Sequence, residues 1–97
     1  MPTFISLLNW TEQGIRTFAD TVNRANIVSA AADRLGGRVL NIYWTVGHYD
    51  IVTVSEFADD ETATAFLLTL GAQGNVRTES LRAYTADEMS KIISKTS

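Results

Sequence analysis

Tyr49 and Asp50 are the pair of neighbouring residues best suited to chemistry, and they follow the only histidine of the chain, His48. A carboxylate that is partly removed from water has a raised pKa and can act as a general base. Because adjacent residues of a strand point to opposite faces, Tyr49 and Asp50 cannot act together on one substrate atom. Asp50 therefore has two alternative roles. It is either a general base beside Tyr43 and Thr45, or an acceptor of hydrogen bonds that hold its own hairpin, the more common role.

Tyr49 and His48 are predicted to be structural. The ring of Tyr49 is expected in the core, with its hydroxyl group bonded to a polar partner. His48 could titrate near neutral pH, but a histidine exposed on a turn lacks the oriented partner that catalysis requires.

Three further residues are candidates for binding a ligand. Arg77 and Glu79 are two positions apart on a predicted strand and therefore share a face. They could clamp and orient an anionic ligand, or they could pair with each other or across two copies of the chain. Trp10 follows the first predicted strand, where it could stack on a ligand or cover a small core.

The composition argues against several classes of function. With no cysteine and one histidine among 97 residues, the chain lacks the ligands for a thiolate site or a three-histidine zinc site, and we predict no metal or cofactor. The eight basic residues are scattered and the net charge is −3, which argues against nucleic-acid binding. No apolar stretch is long enough to cross a membrane and no signal peptide is visible, so the cytoplasm is the expected location.

Hydrophobic periodicity and turn residues predict four strands and three helices. The strands are expected at Thr3–Asn9, Arg38–Val46, Tyr49–Phe57 and Asn75–Tyr84. The helices are expected from Thr11 to Leu35, from Asp59 to about Gly71, and from Ala86 to Lys95. Thr11, Asp59 and Thr85 are the predicted N-caps.

The order β-α-β-β-α-β-α predicts an α+β, ferredoxin-like sandwich with an additional C-terminal helix. Right-handed crossovers place the first and third strands in the middle of the sheet. Both crossover helices then cover one face of the sheet, and the other face, here called the bare face, has no helix over it. The length predicts one domain that spans residues 1–97.

A two-residue type II′ turn at Gly47-His48 would fix the register of the second and third strands. Trp44 then faces Ile51, and Ile42 faces Thr53. The face under the helices would carry Leu40, Ile42, Trp44, Val46, Tyr49 and Ile51. The bare face would carry Val39, Asn41, Tyr43, Thr45, Asp50, Val52 and Val54.

The predicted bare face is too apolar to remain in water. Val39, Val52 and Val54 would lie beside apolar residues of the first strand, and each large side chain left exposed forgoes about 1.5–3 kcal/mol of burial. An apolar surface of this kind usually marks an interface. We therefore predict a homodimer in which the bare faces of two chains pack together.

Four blocks of residues give the chain a family resemblance: residues 8–15, 35–37, 43–50 and 74–83. They resemble the GYD-domain family of small bacterial proteins. Gly47, Tyr49 and Asp50 match the Gly-x-Tyr-Asp pattern of that family, and His48 occupies its variable position. The resemblance covers nearly the whole chain and implies a ferredoxin-like fold of the dimeric α/β-barrel type. It implies no particular reaction.

Three functions remain open at this point. The first is a non-catalytic homodimer that binds a small molecule or a protein partner, with Trp10, Tyr43, Thr45, Asp50, Arg77 and Glu79 as candidate binding residues. The second is a cofactor-independent enzyme, related to isomerases or monooxygenases by analogy of fold. In that case Asp50 would be the base, Arg77 would hold an anion and Tyr43 would donate a hydrogen bond. The third is assembly alone.

Overall fold

A computed structural model describes residues 1–97. Its elements are β1 (Thr3–Trp10), α1 (Glu12–Arg16), a 3-10 turn (Phe18–Asp20), α2 (Thr21–Arg34), β2 (Arg38–Trp44), β3 (Ile51–Glu56), α3 (Asp60–Ala72), β4 (Val76–Ala83) and α4 (Ala86–Ser94). The single helix predicted between Thr11 and Leu35 is wrong, because the chain leaves helical geometry at Thr17 (φ −110°, ψ 33°). The Thr17 hydroxyl donates to the carbonyl oxygen of Gln13, a local bond of the kind that competes with helix continuation.

The four strands form one antiparallel sheet in the order β2-β3-β1-β4, so the predicted central position of the first and third strands is confirmed. α2 and α3 pack on the face that carries Phe4 and Leu8. This is the ferredoxin-like α+β arrangement.

The β2–β3 hairpin keeps the predicted register near its loop and loses it further away. Trp44 faces Ile51 and Ile42 faces Thr53 as expected, but a bulge at Leu40 makes Asn41 face Val54 and Val39 face Ser55. The bulge turns Val39 toward the helices, opposite to its predicted face, and leaves Leu40 42% exposed where it was predicted to lie under them.

The two-residue turn predicted at Gly47-His48 is also wrong. β2 ends at Trp44 and β3 begins at Ile51, and residues 45–50 form a longer loop in which Val46 is fully exposed instead of lying under the helices. The loop also makes a contact outside the hairpin. The backbone N–H of Asp50 donates to the carbonyl oxygen of Leu8 on β1 (2.9 Å), which holds the loop against the centre of the sheet.

The core is small, with 11 of 97 residues buried. One cluster joins the sheet to α2 and α3 and contains Phe4, Ala32, Phe57, Ala63 and Phe66. A second cluster contains Leu8, Ile51 and Val76. Gly37 permits the first cluster to close, because a Cβ atom at this position would lie 2.3 Å from the ring of Phe57, which is 1% exposed. A core of this size leaves many apolar side chains outside.

α4 begins with the predicted capping box. The Thr85 hydroxyl accepts from the N–H of Glu88, and the Glu88 carboxylate accepts from the N–H of Thr85. Met89, Ile92 and Ile93 lie three and four positions apart and are exposed, because α4 packs little against its own chain. None of the helices is both long and apolar enough to cross a membrane.

Candidate functional site

The Asp50 side chain ties the β2–β3 loop to β1. Its Oδ2 atom accepts a hydrogen bond from the backbone N–H of Trp10 (2.9 Å), while its own N–H donates to the carbonyl oxygen of Leu8. These two bonds extend the pairing of β1 and β3 beyond Leu8–Ile51, the last pair of the ladder. Asp50 therefore acts as a structural acceptor, and its partner is β1 rather than its own hairpin.

Tyr49 does not lie in the core, which corrects the expectation for its ring. Its hydroxyl donates to Oε2 of Glu79 on β4 (2.9 Å). Since Glu79 faces Leu7 across the β1–β4 pair, the Tyr49 side chain crosses β1 on the bare face. The hydrogen bond to the Glu79 carboxylate, together with the negative charge of that group, raises the pKa of Tyr49.

Thr45 lies within the β2–β3 loop, whereas Tyr43 lies on the bare face of β2. The Thr45 hydroxyl donates to the carbonyl oxygen of Tyr49 and its N–H donates to that of Asp50 (2.8 Å), so Thr45 closes the loop from within. Tyr43 faces Val52 on the bare face and is largely exposed. No hydrogen bond or ion pair joins Asp50 to Tyr43 or to Arg77.

Arg77 and Glu79 share a face as predicted, and it is the bare face, but they do not pair with each other. Arg77 faces Asn9 and is exposed, and Glu79 is bonded to Tyr49. The two ion pairs of the chain lie elsewhere, between Glu12 and Arg16 and between Arg38 and Glu56. Arg77 therefore carries a charge without an acidic partner in its own chain.

The bare face as a whole has an apolar centre. The register of the four strands places on it Ile5, Leu7, Val52, Val54 and Leu81. Polar residues that include Asn9, Arg77 and Glu79 lie toward the end of β1 at which the β2–β3 loop attaches.

A cavity of about 70 Å³ lies on the opposite side of the sheet, beneath α2 and α3. Of the predicted binding residues it is lined by Trp10 alone, and it reaches neither Asp50 nor Tyr43. Arg24 also lines it and was not identified from the sequence. The available signal was its place four residues before Val28, which puts both on one side of a helix.

The loop before β4 holds the start of α1 in place beside this cavity. The N–H of Thr11 donates to the carbonyl oxygen of Asn75 (3.1 Å), and Gln13 donates to Asn75 Oδ1 (3.0 Å). Gly14 packs so closely that a Cβ atom there would lie 1.9 Å from the Asn75 carbonyl oxygen. No three His, Cys, Asp or Glu side chains come together in a way that could hold a metal ion.

Comparisons with known proteins identify one family and two similar proteins. The GYD domain family matches residues 4–93. A protein of Thermus thermophilus named glutamine synthetase and cystathionine beta-lyase binding protein is 37% identical over 84 residues, which cover 86% of this chain and 88% of that protein. The crystal structure of TTHA0845 from Thermus thermophilus is similar with a TM-score of 0.56 and 26% identity, over 89% of this chain and 96% of the other.

Proposed function

The chain belongs to the GYD-domain family, and we propose that it is a cytoplasmic interaction domain, which forms a homodimer and binds metabolic enzymes without catalysing a reaction itself. The proposal combines two lines of support. One is the uncovered apolar surface of the chain, and the other is the protein-binding role in the name of the Thermus relative.

The observation that carries the homodimer is the amount of surface that one chain leaves exposed. The accessible surface is 6386 Å², whereas a monomer of this mass is expected to expose about 5,500 Å². The excess is close to the ~800 Å² that each partner buries in a standard interface. The radius of gyration, 14.6 Å, likewise exceeds the ~12.5 Å expected for a compact domain of this length.

The bare face has the composition of an interface. Its centre is apolar, and its polar groups lie toward both ends of the strands, with Asn9, Arg77 and Glu79 at one end and Arg38 and Glu56 at the other, an arrangement that favours burial of the centre against a second copy. Arg77 has no acidic partner in its own chain, so its charge is free to pair with a carboxylate of the second copy. The apolar stripe of α4 is exposed, and the molecule is elongated, with a longest dimension of 51 Å. This helix would therefore also pack against the second copy, which would bury its stripe.

The role in binding enzymes rests on the family relationship. The Thermus relative is named for binding glutamine synthetase and cystathionine beta-lyase, and we extend to this chain the binding of enzymes of that class. The Asp50 carboxylate is held by a backbone N–H and lies apart from the cavity, so no observation favours the alternative of an enzyme with Asp50 as its base.

Light scattering at micromolar concentration tests the homodimer. Leu81 lies on the bare face and is 46% exposed, and Leu68 lies on the outer side of α3 and is 70% exposed. Leu81→Glu is expected to give a folded monomer, because a carboxylate would be buried unpaired in the interface. Leu68→Glu, the matched control, is expected to remain a dimer. A wild-type monomer at this concentration would overturn the homodimer.

Biolayer interferometry with purified glutamine synthetase and cystathionine beta-lyase tests the binding of enzymes. We expect at least one of them to bind the wild-type protein and Leu68→Glu with micromolar or lower dissociation constants, with serum albumin as the negative control. If neither enzyme binds, this part of the proposal is contradicted. The homodimer is tested separately, by light scattering.

A further inference from the structure

The cavity beneath α2 and α3 has apolar walls and an opening to solvent. The walls come from both the sheet and the helices, with Leu8, Ile51, Val28, Phe66 and Leu70 among them. The volume of about 70 Å³ is roughly half that of an engineered apolar cavity that binds benzene. Trp44 and Gln73 also line the cavity and are exposed, so a small molecule can enter between the helices and the sheet.

The floor of the cavity carries hydroxyl groups in the centre of the sheet. Ser6, Thr53 and Ser55 all line the cavity. They lie on the face that α2 and α3 cover, because Ser55 pairs with Phe4 and Thr53 pairs with Ser6, two positions further along β1. Ser6 and Ser55 are the two buried polar residues of the chain, and the Ser6 hydroxyl is bonded to that of Ser80 (2.7 Å). An otherwise apolar site therefore has a polar floor.

The hydroxyl of Ser55, unlike that of Ser6, has no hydrogen-bond partner in the chain. The residue is only 5% exposed. Among buried side-chain nitrogen and oxygen atoms without a partner, only Trp10 Nε1 is sealed from solvent. The Ser55 hydroxyl is therefore within reach of a water-sized molecule, and the cavity is the space that it borders. A buried hydroxyl without a partner is unfavourable, so a hydrogen bond from a bound molecule would stabilise this site.

No charged group is free to interact with a molecule in the cavity. Arg24 is the only charged residue of the lining. Its guanidinium donates to two oxygen atoms of Thr17 (3.0 and 2.7 Å) and to the carbonyl oxygen of Gly14 (3.2 Å), and neither of these residues lines the cavity. Moving a charged group from water into an apolar site without a counter-charge is strongly unfavourable. A molecule that binds here must therefore be uncharged.

We propose that this cavity binds a small uncharged alcohol with an apolar body of a few carbon atoms, a class to which isobutanol belongs. The alcohol would form a hydrogen bond with the Ser55 hydroxyl, and its apolar body would contact Val28, Ile51 and Leu70. A serine hydroxyl both donates and accepts, so it is matched to a ligand group that does the same. This site lies on the other side of the sheet from the bare face, so it is independent of the proposed protein-binding role.

Titration of the wild-type protein with isobutanol and with isobutylammonium, which carries a charged amine on the same carbon skeleton, tests the inference. Binding is followed by the ¹H–¹³C methyl resonances of Ile51, which lines the cavity, and of Ile93, which is exposed on α4. We expect isobutanol to shift Ile51 saturably, with a dissociation constant of about 1 mM or lower, and to leave Ile93 in place. The cation should bind at least about tenfold more weakly. Equal affinity for both molecules, or no saturable shift of Ile51, would overturn the proposal.

Two variants test the hydroxyl and the space separately. Ser55→Ala should weaken isobutanol binding about three- to tenfold, whereas Ser90→Ala on the exposed side of α4 should bind as the wild type does. Ala25 lines the cavity, so Ala25→Leu should fill it and abolish binding, whereas Ala30→Leu, at an exposed position of α2, should not.

The dispersion of each spectrum shows whether a variant is folded. Wild-type affinity in a folded Ser55→Ala or in a folded Ala25→Leu would overturn the proposal. The comparison of alcohol and cation on the wild type decides the matter even where neither variant folds.

Discussion

The Tyr49 hydroxyl lies 2.9 Å from Oε2 of Glu79, so a residue of the β2–β3 loop reaches over β1 to β4. Together with the bond from the Trp10 N–H to the Asp50 carboxylate, this contact fastens the loop to the two strands beyond its own hairpin. Both contacts run from the loop toward β1 and β4, so the Tyr-Asp pair holds the loop against the centre and the far edge of the sheet.

The Tyr49–Glu79 bond makes stability sensitive to alkaline pH. Because the folded-state pKa of Tyr49 is raised above its unfolded value, the stabilisation is complete below about pH 9 and is lost as the pH rises through the folded pKa. Urea unfolding between pH 8 and 11 should show a steeper loss for the wild type than for Tyr49→Phe. Glu79→Gln should bring the spectrophotometric titration of Tyr49 closer to that of an ordinary tyrosine.

Asp50 is expected to matter for stability through its acceptor oxygen. Asp50→Ala leaves the Trp10 N–H without its acceptor and should lower the free energy of unfolding by about 1–3 kcal/mol. Asp50→Asn keeps an oxygen in place and should lose less. Asp33→Ala on the exposed side of α2 is the control and should change stability by less than about 0.5 kcal/mol. Equal stability of Asp50→Ala and the wild type in urea would contradict the structural role.

Local signals were sufficient to predict most of the fold. Thr11, Asp59 and Thr85 each accept a hydrogen bond from the N–H three residues later, as their positions before apolar periodic segments predicted. The pairing of Trp44 with Ile51 also followed from the sequence. In each case the information lies within a few residues of the feature.

The predictions that were wrong or missing concern features that depend on contacts between distant segments of the chain. The bulge at Leu40 and the attachment of the β2–β3 loop to β1 involve partners on other strands, which no local pattern encodes. The cavity was missed for a related reason. Periodicity indicates which residues point inward, but the space left between α2, α3 and the sheet depends on how closely the helices approach, and so Arg24 was not recognised.

Gly14 is expected to be the least replaceable glycine. In Gly14→Ala the new Cβ atom would lie 1.9 Å from the Asn75 carbonyl oxygen, which is backbone and cannot rotate away. The start of α1 must then separate from the loop before β4, and we expect a loss of about 3 kcal/mol or more in the free energy of unfolding. Gly71→Ala is the matched control, because it lies in α3 with open space around its Cβ position. It should stabilise the protein by about 0.5–1 kcal/mol, and a comparable loss in both variants would refute the steric argument.

Asp59 should make the start of α3 sensitive to acid. Its carboxylate accepts from the Thr62 N–H (2.7 Å), and this backbone bond lowers the pKa of Asp59 below its ordinary value. A carboxyl group whose folded-state pKa is depressed contributes stability above its unfolded pKa, and that contribution is lost as the pH falls below about 4. Asp59→Asn retains an N-cap acceptor but has no charge to titrate. Thermal melts between pH 6 and pH 2.5 should therefore show a smaller fall in Tm for Asp59→Asn than for the wild type. The control is Asp60→Asn, since that neighbouring aspartate makes no side-chain bond to the helix, and it should follow the wild-type profile closely.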